Sequence, residues 1–278
     1  MDNGKTHHDP NYILGHSESE LQRLISQAQF YMRLTRQLLT DAGIGPGQRV
    51  LDLGSGTGDV AFLLSEMVGA TGQVVGIDKA PEAVYTARLR AAEKSLQNVS
   101  FEESNIHSFT PDAPFDAVFG RLLLMYQPDP VFTVQEVARY VKPGGLVIFQ
   151  ELDFTSTALA LPPAPTYERA IGWIKGVLDQ AKIPSQMGLL LYSTFTRAGL
   201  NTPELLASAR VEGGAESPVY DYIAYSVQSL LPTMEKLQVV TAEEAAVETL
   251  AARMRAEVVQ GGGVVVVPHL VGAWARTQ

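Results

Sequence analysis

Between residues 50 and 60 the chain reads VLDLGSGTGDV, a strand that runs into three glycines at alternate positions and straight on into a helical pattern. Glycines so spaced let the backbone turn tightly and come close to a ligand, because no Cβ intervenes. The hundred residues that follow repeat the same alternation. Strands are read at 49–53, 73–77, 98–102, 115–119 and 145–151, and helices near 58–69, 81–95 and 130–140, the last stopped by Lys142-Pro143-Gly144-Gly145. Strands that alternate with helices over short connections form crossover units, and these build a mainly parallel sheet covered by helices on both faces.

Outside that rhythm the pattern changes. Ser17 and Glu20 form a capping-box pattern ahead of Leu21, Leu24, Ile25, Ala28, Tyr31 and Met32, which keep helical spacing until Gly43 and Gly45 stop the helix. Beyond Glu151 a loop rich in Pro and Ala leads to helices near 166–182 and 186–198, and ELLASARV from Glu204 reads as one strand. Ser217-Pro218 starts a long helical stretch expected to break at Pro232, Thr241 with Glu244 caps another helix, and GGVVVVPHLVGAWA closes the chain as a strand. We expect one domain over 1–278: an N-terminal helical lid (1–43), a ligand-binding core (44–152), and the remaining strands with a helical cap (153–278).

The ligand at the glycine turn is constrained by charge. A dinucleotide turn needs GxGxxG, but here the third glycine arrives one residue early and Asp59 takes its place. From Val50 to Asp78 there is no Lys or Arg, and there are four acidic residues. A pyrophosphate is a poor match for such a turn; a ligand with an amino group and no phosphate fits better. Asp78 ends the second strand, about 20 residues on, where a carboxylate can accept two hydrogen bonds from ribose hydroxyls. The pattern asks for a nucleoside without pyrophosphate plus a cationic group, a description that S-adenosylmethionine meets.

VLDLGSGTGDVAFLL, VVGIDKAPEAV, ESNIHSF, FDAVFGRLLLMY and VKPGGLVIFQE, taken in order over residues 48–152, resemble the successive motifs of class I S-adenosylmethionine-dependent methyltransferases. The resemblance implies a Rossmann-like α/β fold: a mostly parallel sheet of seven strands, with an N-terminal helix and helical cap insertions. It implies that Asp52 and the turn Gly54, Ser55, Gly56 and Gly58 hold the methionine part. Asp78, with Lys79 beside it, would hold the ribose, and Asn105 and Ile106 would meet the adenine, although the family often has Asp where Asn105 stands. Arg121 would sit beside the sulfonium and the acceptor. Tyr12 and Gln27, from the N-terminal segment, are further cofactor-binding candidates. S-adenosylhomocysteine would be the product.

The acceptor is narrowed mainly by exclusion. With 30 acidic against 21 basic residues the net charge is −9, which disfavours nucleic acid, and the Pro-Pro-aromatic motif of amino-methylating nucleic-acid enzymes is missing after strand four. The chain has no cysteine, and Glu151 with Asp153 would supply only two carboxylates, so no metal is expected. No signal-like or bilayer-spanning apolar run is found, and a cytoplasmic monomer or homodimer without membrane contact is expected. Aromatic residues in the cap, among them Trp173, Tyr220, Tyr222 and Tyr225, point to an aromatic or lipophilic small molecule. The opening YILGHSESELQRL, with this cap, resembles small-molecule methyltransferases of bacterial natural-product pathways. The acceptor atom could be C, N or O. If it must shed a proton, Glu151, His16 and Tyr31 are the leading bases, with His107 and Tyr12 behind them. An NAD-linked oxidoreductase and a non-catalytic cofactor-binding scaffold are the competing readings.

Overall fold

The computed structural model describes residues 18–155 and 159–278, with side chains from Gln27 onward. In chain order the strands are β1 (Arg49–Leu53), β2 (Gln73–Asp78), β3 (Val99–Glu103), β4 (Phe115–Arg121), β5 (Val141–Asp153), β6 (Ala160–Leu161), β7 (Glu204–Ser208), β8 (Val211–Gly213), β9 (Val264–Val266) and β10 (His269–Arg276). The helices are α1 (Glu18–Ala42), α2 (Asp59–Val68), α3 (Pro81–Glu93), α4 (Pro130–Ala138), α5 (Pro165–Gln180), α6 (Met187–Arg197), α7 (Val219–Lys236), α8 (Ala242–Ala245) and α9 (Val247–Gln260). Seven strands form one sheet in the order β3-β2-β1-β4-β5-β10-β7. Neighbouring strands pair in parallel except β10, which is antiparallel to both β5 and β7.

The central strands are apolar on both faces because helices cover both. Val50, Leu51 and Leu53 of β1 are fully buried, and so are Phe115, Ala117, Val118 and Phe119 of β4. Helix starts follow local chemistry. Asp129 caps α4 by accepting the Phe132 N–H at 3.0 Å, and Thr241 with Glu244 makes the expected capping box of α8. The Ser17–Glu20 box falls outside the described side chains.

Three expectations about the second half need correction. Pro232 does not break the helix: α7 runs through it to Lys236. Proline forfeits one backbone bond and crowds the preceding turn, but buried Leu230 and Met234 fasten the helix to the core on either side of it. The C-terminal run is not one strand. Pro268, which has no N–H to give a ladder, separates β9 from β10, and β9 joins β6 and β8 in a small antiparallel sheet. ELLASARV likewise divides, with β7 on the edge of the large sheet and β8 in the small one.

Strand order positions the site. From β1 the chain proceeds to β2 and β3 on one side, then returns to lay β4 and β5 on the other. The order reverses between β1 and β4, and this opens a crevice at their carboxyl ends, where the glycine turn lies.

Candidate functional site

Gly54, Gly56 and Gly58 have φ of 64°, 52° and 88°, left-handed values that other residues adopt only under strain. At Gly58 a Cβ would also meet the rings of Phe101 and Phe62 at 2.8 Å. Asp78 fastens the turn from the neighbouring strand: the Gly56 N–H donates to one carboxylate oxygen at 2.8 Å and the Ala80 N–H to the other at 2.9 Å. Asp59 is clamped by Arg90 of α3, whose two terminal nitrogens donate to its two oxygens at 2.7 and 2.8 Å. The same guanidinium donates to the Thr57 carbonyl at 2.7 Å. Asp59 is therefore charge-paired within the chain, while it still lines the cleft beside the turn.

Asp52 is different. It is buried, and its Oδ2 has no hydrogen-bond partner; the buried hydroxyl of Ser55 lacks one too. Burial pushes the Asp52 carboxyl up to about 8, while Arg121 pulls the other way and Asp78 adds to the rise. Arg121, at the end of β4, donates to the Thr35 hydroxyl of α1 at 3.1 Å, and Thr35 donates to Gln150 of β5 at 2.8 Å. Burial lowers the Arg121 pKa, with Asp52 and Asp59 opposing. Asp52, the turn, Asp59, Arg121 and Gln27 of α1 line one cleft. An unpartnered carboxylate oxygen facing a guanidinium across a small cleft suits a zwitterion, with its ammonium on Asp52 and its carboxylate on Arg121.

A second cavity lies beside the first, beneath α1, α5 and α7, and Gln27 lines both. Its walls are mostly aliphatic and aromatic, including Leu152, Phe154, Ile171, Ile174 and Leu230. Tyr31 and Tyr222 meet on one side, with their oxygens 3.3 Å apart and their rings edge to face at 5.5 Å. None of the described residues lining it is a carboxylate, lysine, arginine or histidine.

A methyltransferase-domain family profile matches residues 44–185, just over half of the chain, and spans the turn, Asp52, Asp78 and Arg121. The chain belongs to this family. It is similar to a ubiquinone biosynthesis O-methyltransferase of Xanthomonas campestris, with 40% identity over 42% of this chain and 48% of the relative. It is similar also to aklanonic acid methyltransferase of a Streptomyces species, with 34% identity over 49% of this chain and 62% of that one. The chain thus spans about half the length of the curated relatives it matches. Among solved structures it shares its fold with a phosphoethanolamine N-methyltransferase of Haemonchus contortus (TM-score 0.60, 15% identity, 98% of this chain and 60% of that one).

In this chain Asp52, Gly54, Ser55, Gly56, Arg121 and Gln27 come together around one cleft. The other expected cofactor residues among the described ones do not line it. Asp78 supports the turn, Gly58 lies against Phe62 and Phe101, and Lys79 is exposed. Exposed Asn105 accepts the His107 N–H at 2.9 Å, and Ile106 is buried in the core. Glu151, expected as a base, lines neither cavity. Side chains alternate along β5: Gln150 meets Thr35 of α1, and Phe149 packs on Phe195 of α6. Glu151 follows Phe149 to that other face, where one oxygen accepts the Leu123 and Leu124 N–H groups at 2.9 and 2.7 Å. Burial raises its carboxyl to about 7. Tyr31 lines the apolar cavity, but desolvation and Tyr222 hold its pKa well above the usual tyrosine value, so it is a hydrogen-bond donor rather than a base. Tyr12 and His16 lie outside the described residues. Arg90, Thr35 and Gln150 escape sequence reading, because nothing in the spacing of residues 31 to 115 apart announces that they meet.

Among the described residues no helix is long and apolar enough to cross a membrane, and no group of three or more potential ligands could hold a metal ion.

Proposed function

We propose that this chain transfers a methyl group to a small, mostly apolar acceptor, aromatic or lipophilic, of the kind found in natural-product pathways. The observation that carries this reading is the pairing of two unlike cavities across Gln27, one polar and zwitterion-shaped, the other apolar. S-adenosylmethionine supplies an electrophilic methyl on a sulfonium. Asp52, the turn and Arg121 would hold its amino-acid end, and Asp78 would accept from the ribose with the lone pairs that the Gly56 and Ala80 N–H groups leave over. Lys79, Asn105 and Ile106 would flank the adenosine beyond the cleft. The relatives named above act on acceptors of more than one kind, and the apolar cavity favours the lipophilic ones.

The chain's own part is to align and to dry. Alignment of two bound reactants contributes roughly 7–11 kcal/mol to such a transfer, and a cavity walled by α1, α5 and α7 excludes the water that would otherwise solvate a neutral nucleophile. In this reading α1 acts as the lid, because its Gln27 lines both cavities and its Tyr31 lines the apolar one. With Glu151 on another face and Tyr31 kept protonated, His16 is the proposed base for an acceptor that must shed a proton.

The test is turnover. The purified chain, S-adenosylmethionine and a panel of phenols, indoles and amines are incubated, and S-adenosylhomocysteine is quantified by mass spectrometry. Product that depends on an apolar acceptor supports the reading. Tight S-adenosylhomocysteine binding with no product from any acceptor would instead favour a non-catalytic scaffold.

A further inference from the structure

The acceptor cavity is not uniformly apolar. Gln27 and Tyr31 stand four residues apart on α1, and Tyr222 and Ser226 stand four apart on α7, so each pair shares one helix face. Together they make a polar wall, and Ile171, Ile174 and Leu178 of α5 make an apolar wall at spacings of three and four. The polar wall adjoins the cofactor cleft, since Gln27 belongs to both cavities.

Among the described residues, hydrogen-bond accounting for the hydroxyls of this wall leaves one tyrosine proton over. Ser226 donates its hydroxyl to the Tyr222 carbonyl at 2.8 Å and is satisfied. Tyr31 and Tyr222 share one hydrogen bond between two hydroxyls. Two protons and one bond mean that, whichever tyrosine donates, one proton has no acceptor among the described residues. Both side chains are buried, at 1% and 5% exposure, so bulk water does not meet that need. The rings are fixed as well: Phe30 stacks on Tyr222 with centroids 4.6 Å apart and meets Tyr31 edge-on at 5.1 Å.

We infer that the acceptor is an uncharged, oxygen-bearing amphiphile, a phenol, enol or ketone, whose oxygen accepts the spare tyrosine proton while its hydrocarbon body lies against α5. This rests on the methyltransferase reading above and narrows its substrate class. Charged acceptors are disfavoured, because no described residue lining the cavity carries an opposite charge to meet an ammonium, carboxylate or phosphate. Tyr31 and Tyr222 are thereby specificity-determining residues, and the oxygen is held at the end of the cavity that faces the methyl donor's cleft.

The experiment uses four probes of one shape at pH 7: 2-naphthol, naphthalene, 2-naphthalenesulfonate and 2-naphthylmethylammonium. Each is measured by equilibrium dialysis against the full chain saturated with S-adenosylhomocysteine. We expect 2-naphthol to bind at least fivefold tighter than naphthalene and the two ions to bind weaker than either. In Tyr31→Phe/Tyr222→Phe, which keeps both rings, the naphthol advantage should shrink below twofold while naphthalene affinity and melting temperature hold. If the double variant fails to fold, Tyr31→Phe alone should reduce the advantage by at least half. Equal binding of naphthol and naphthalene to the unaltered chain would overturn the inference, as would an advantage that survives substitution or tight binding of either ion. The S-adenosylhomocysteine titration made beforehand separates the two claims: its failure sinks the methyltransferase reading, whereas its success with no naphthol preference sinks only this one.

Discussion

Asp59 meets both terminal nitrogens of Arg90, whereas one oxygen of Asp52 is buried with no hydrogen-bond partner. Both acids are plain in the sequence on either side of the turn, but their roles are set by a guanidinium 31 residues away on α3. Removing that guanidinium in Arg90→Met strands a partly buried carboxylate and frees the Thr57 carbonyl. We expect a loss of about 2–3 kcal/mol by urea unfolding, below the full cost of breaking a wholly buried pair because this one is partly exposed. A loss under about 0.5 kcal/mol would show the clamp to be ornamental. Glu151 and Asp52 make a second prediction, on pH. Both carboxyls titrate higher in the fold, near 7 and 8, than their ordinary values of 4.5 and 3.8. For acids so shifted the folded state holds the proton more tightly, so their contribution to stability is largest below about pH 4. It declines as pH rises towards 7 and 8 and is level above. Glu151→Gln, whose amide oxygen can still accept the Leu123 and Leu124 N–H groups, should flatten the melting-temperature profile between pH 5 and 8. A profile parallel to that of the unaltered chain would contradict the burial argument.

At the scale of elements, the proposed lid role of α1 rests on what holds it to the rest of the fold. Arg210, just before β8, donates to the Phe30 carbonyl and lies over the Phe30 ring at 4.1 Å, and Phe30 stacks on Tyr222 of α7. Arg210→Ala should loosen this latch: amide hydrogen exchange over residues 27–35 should accelerate at least tenfold while α2 and α3 stay protected. Unchanged exchange would mean that helix packing alone retains α1. The elements of residues 44–152 were legible because their apolar strands and glycine or proline boundaries are local signals. The second half was less so for a physical reason. Pro232 looks like a helix stop, but the burial of Leu230 and Met234 outweighs its local cost, and Pro268 divides what reads as one continuous apolar strand. Likewise, Glu151 stands out in the sequence as a candidate base at the end of β5, yet the side to which it points depends on strand phase and on the turn at Leu123–Leu124 that it holds.

Over the whole molecule, the reversal of strand order between β1 and β4 sets a zwitterion-shaped cleft next to an apolar cavity, and α1 spans the two. The glycine turn marks the polar cleft from sequence alone; the apolar cavity is assembled from α1, α5 and α7, which are far apart in the chain, and no local pattern announces it. The central claim is that the buried, unpartnered Oδ2 of Asp52 receives the ammonium of the methyl donor. Calorimetric titration with S-adenosylhomocysteine, from pH 6 to 8.5, tests it in the unaltered chain and in Asp52→Asn. Because Asp52 must be ionised to pair with the ammonium, affinity should rise with pH up to about 8 and then level. Asp52→Asn should bind at least tenfold more weakly at pH 8 and lose the pH dependence. Equal affinity of the two proteins, or a pH profile that the substitution leaves unchanged, would contradict it.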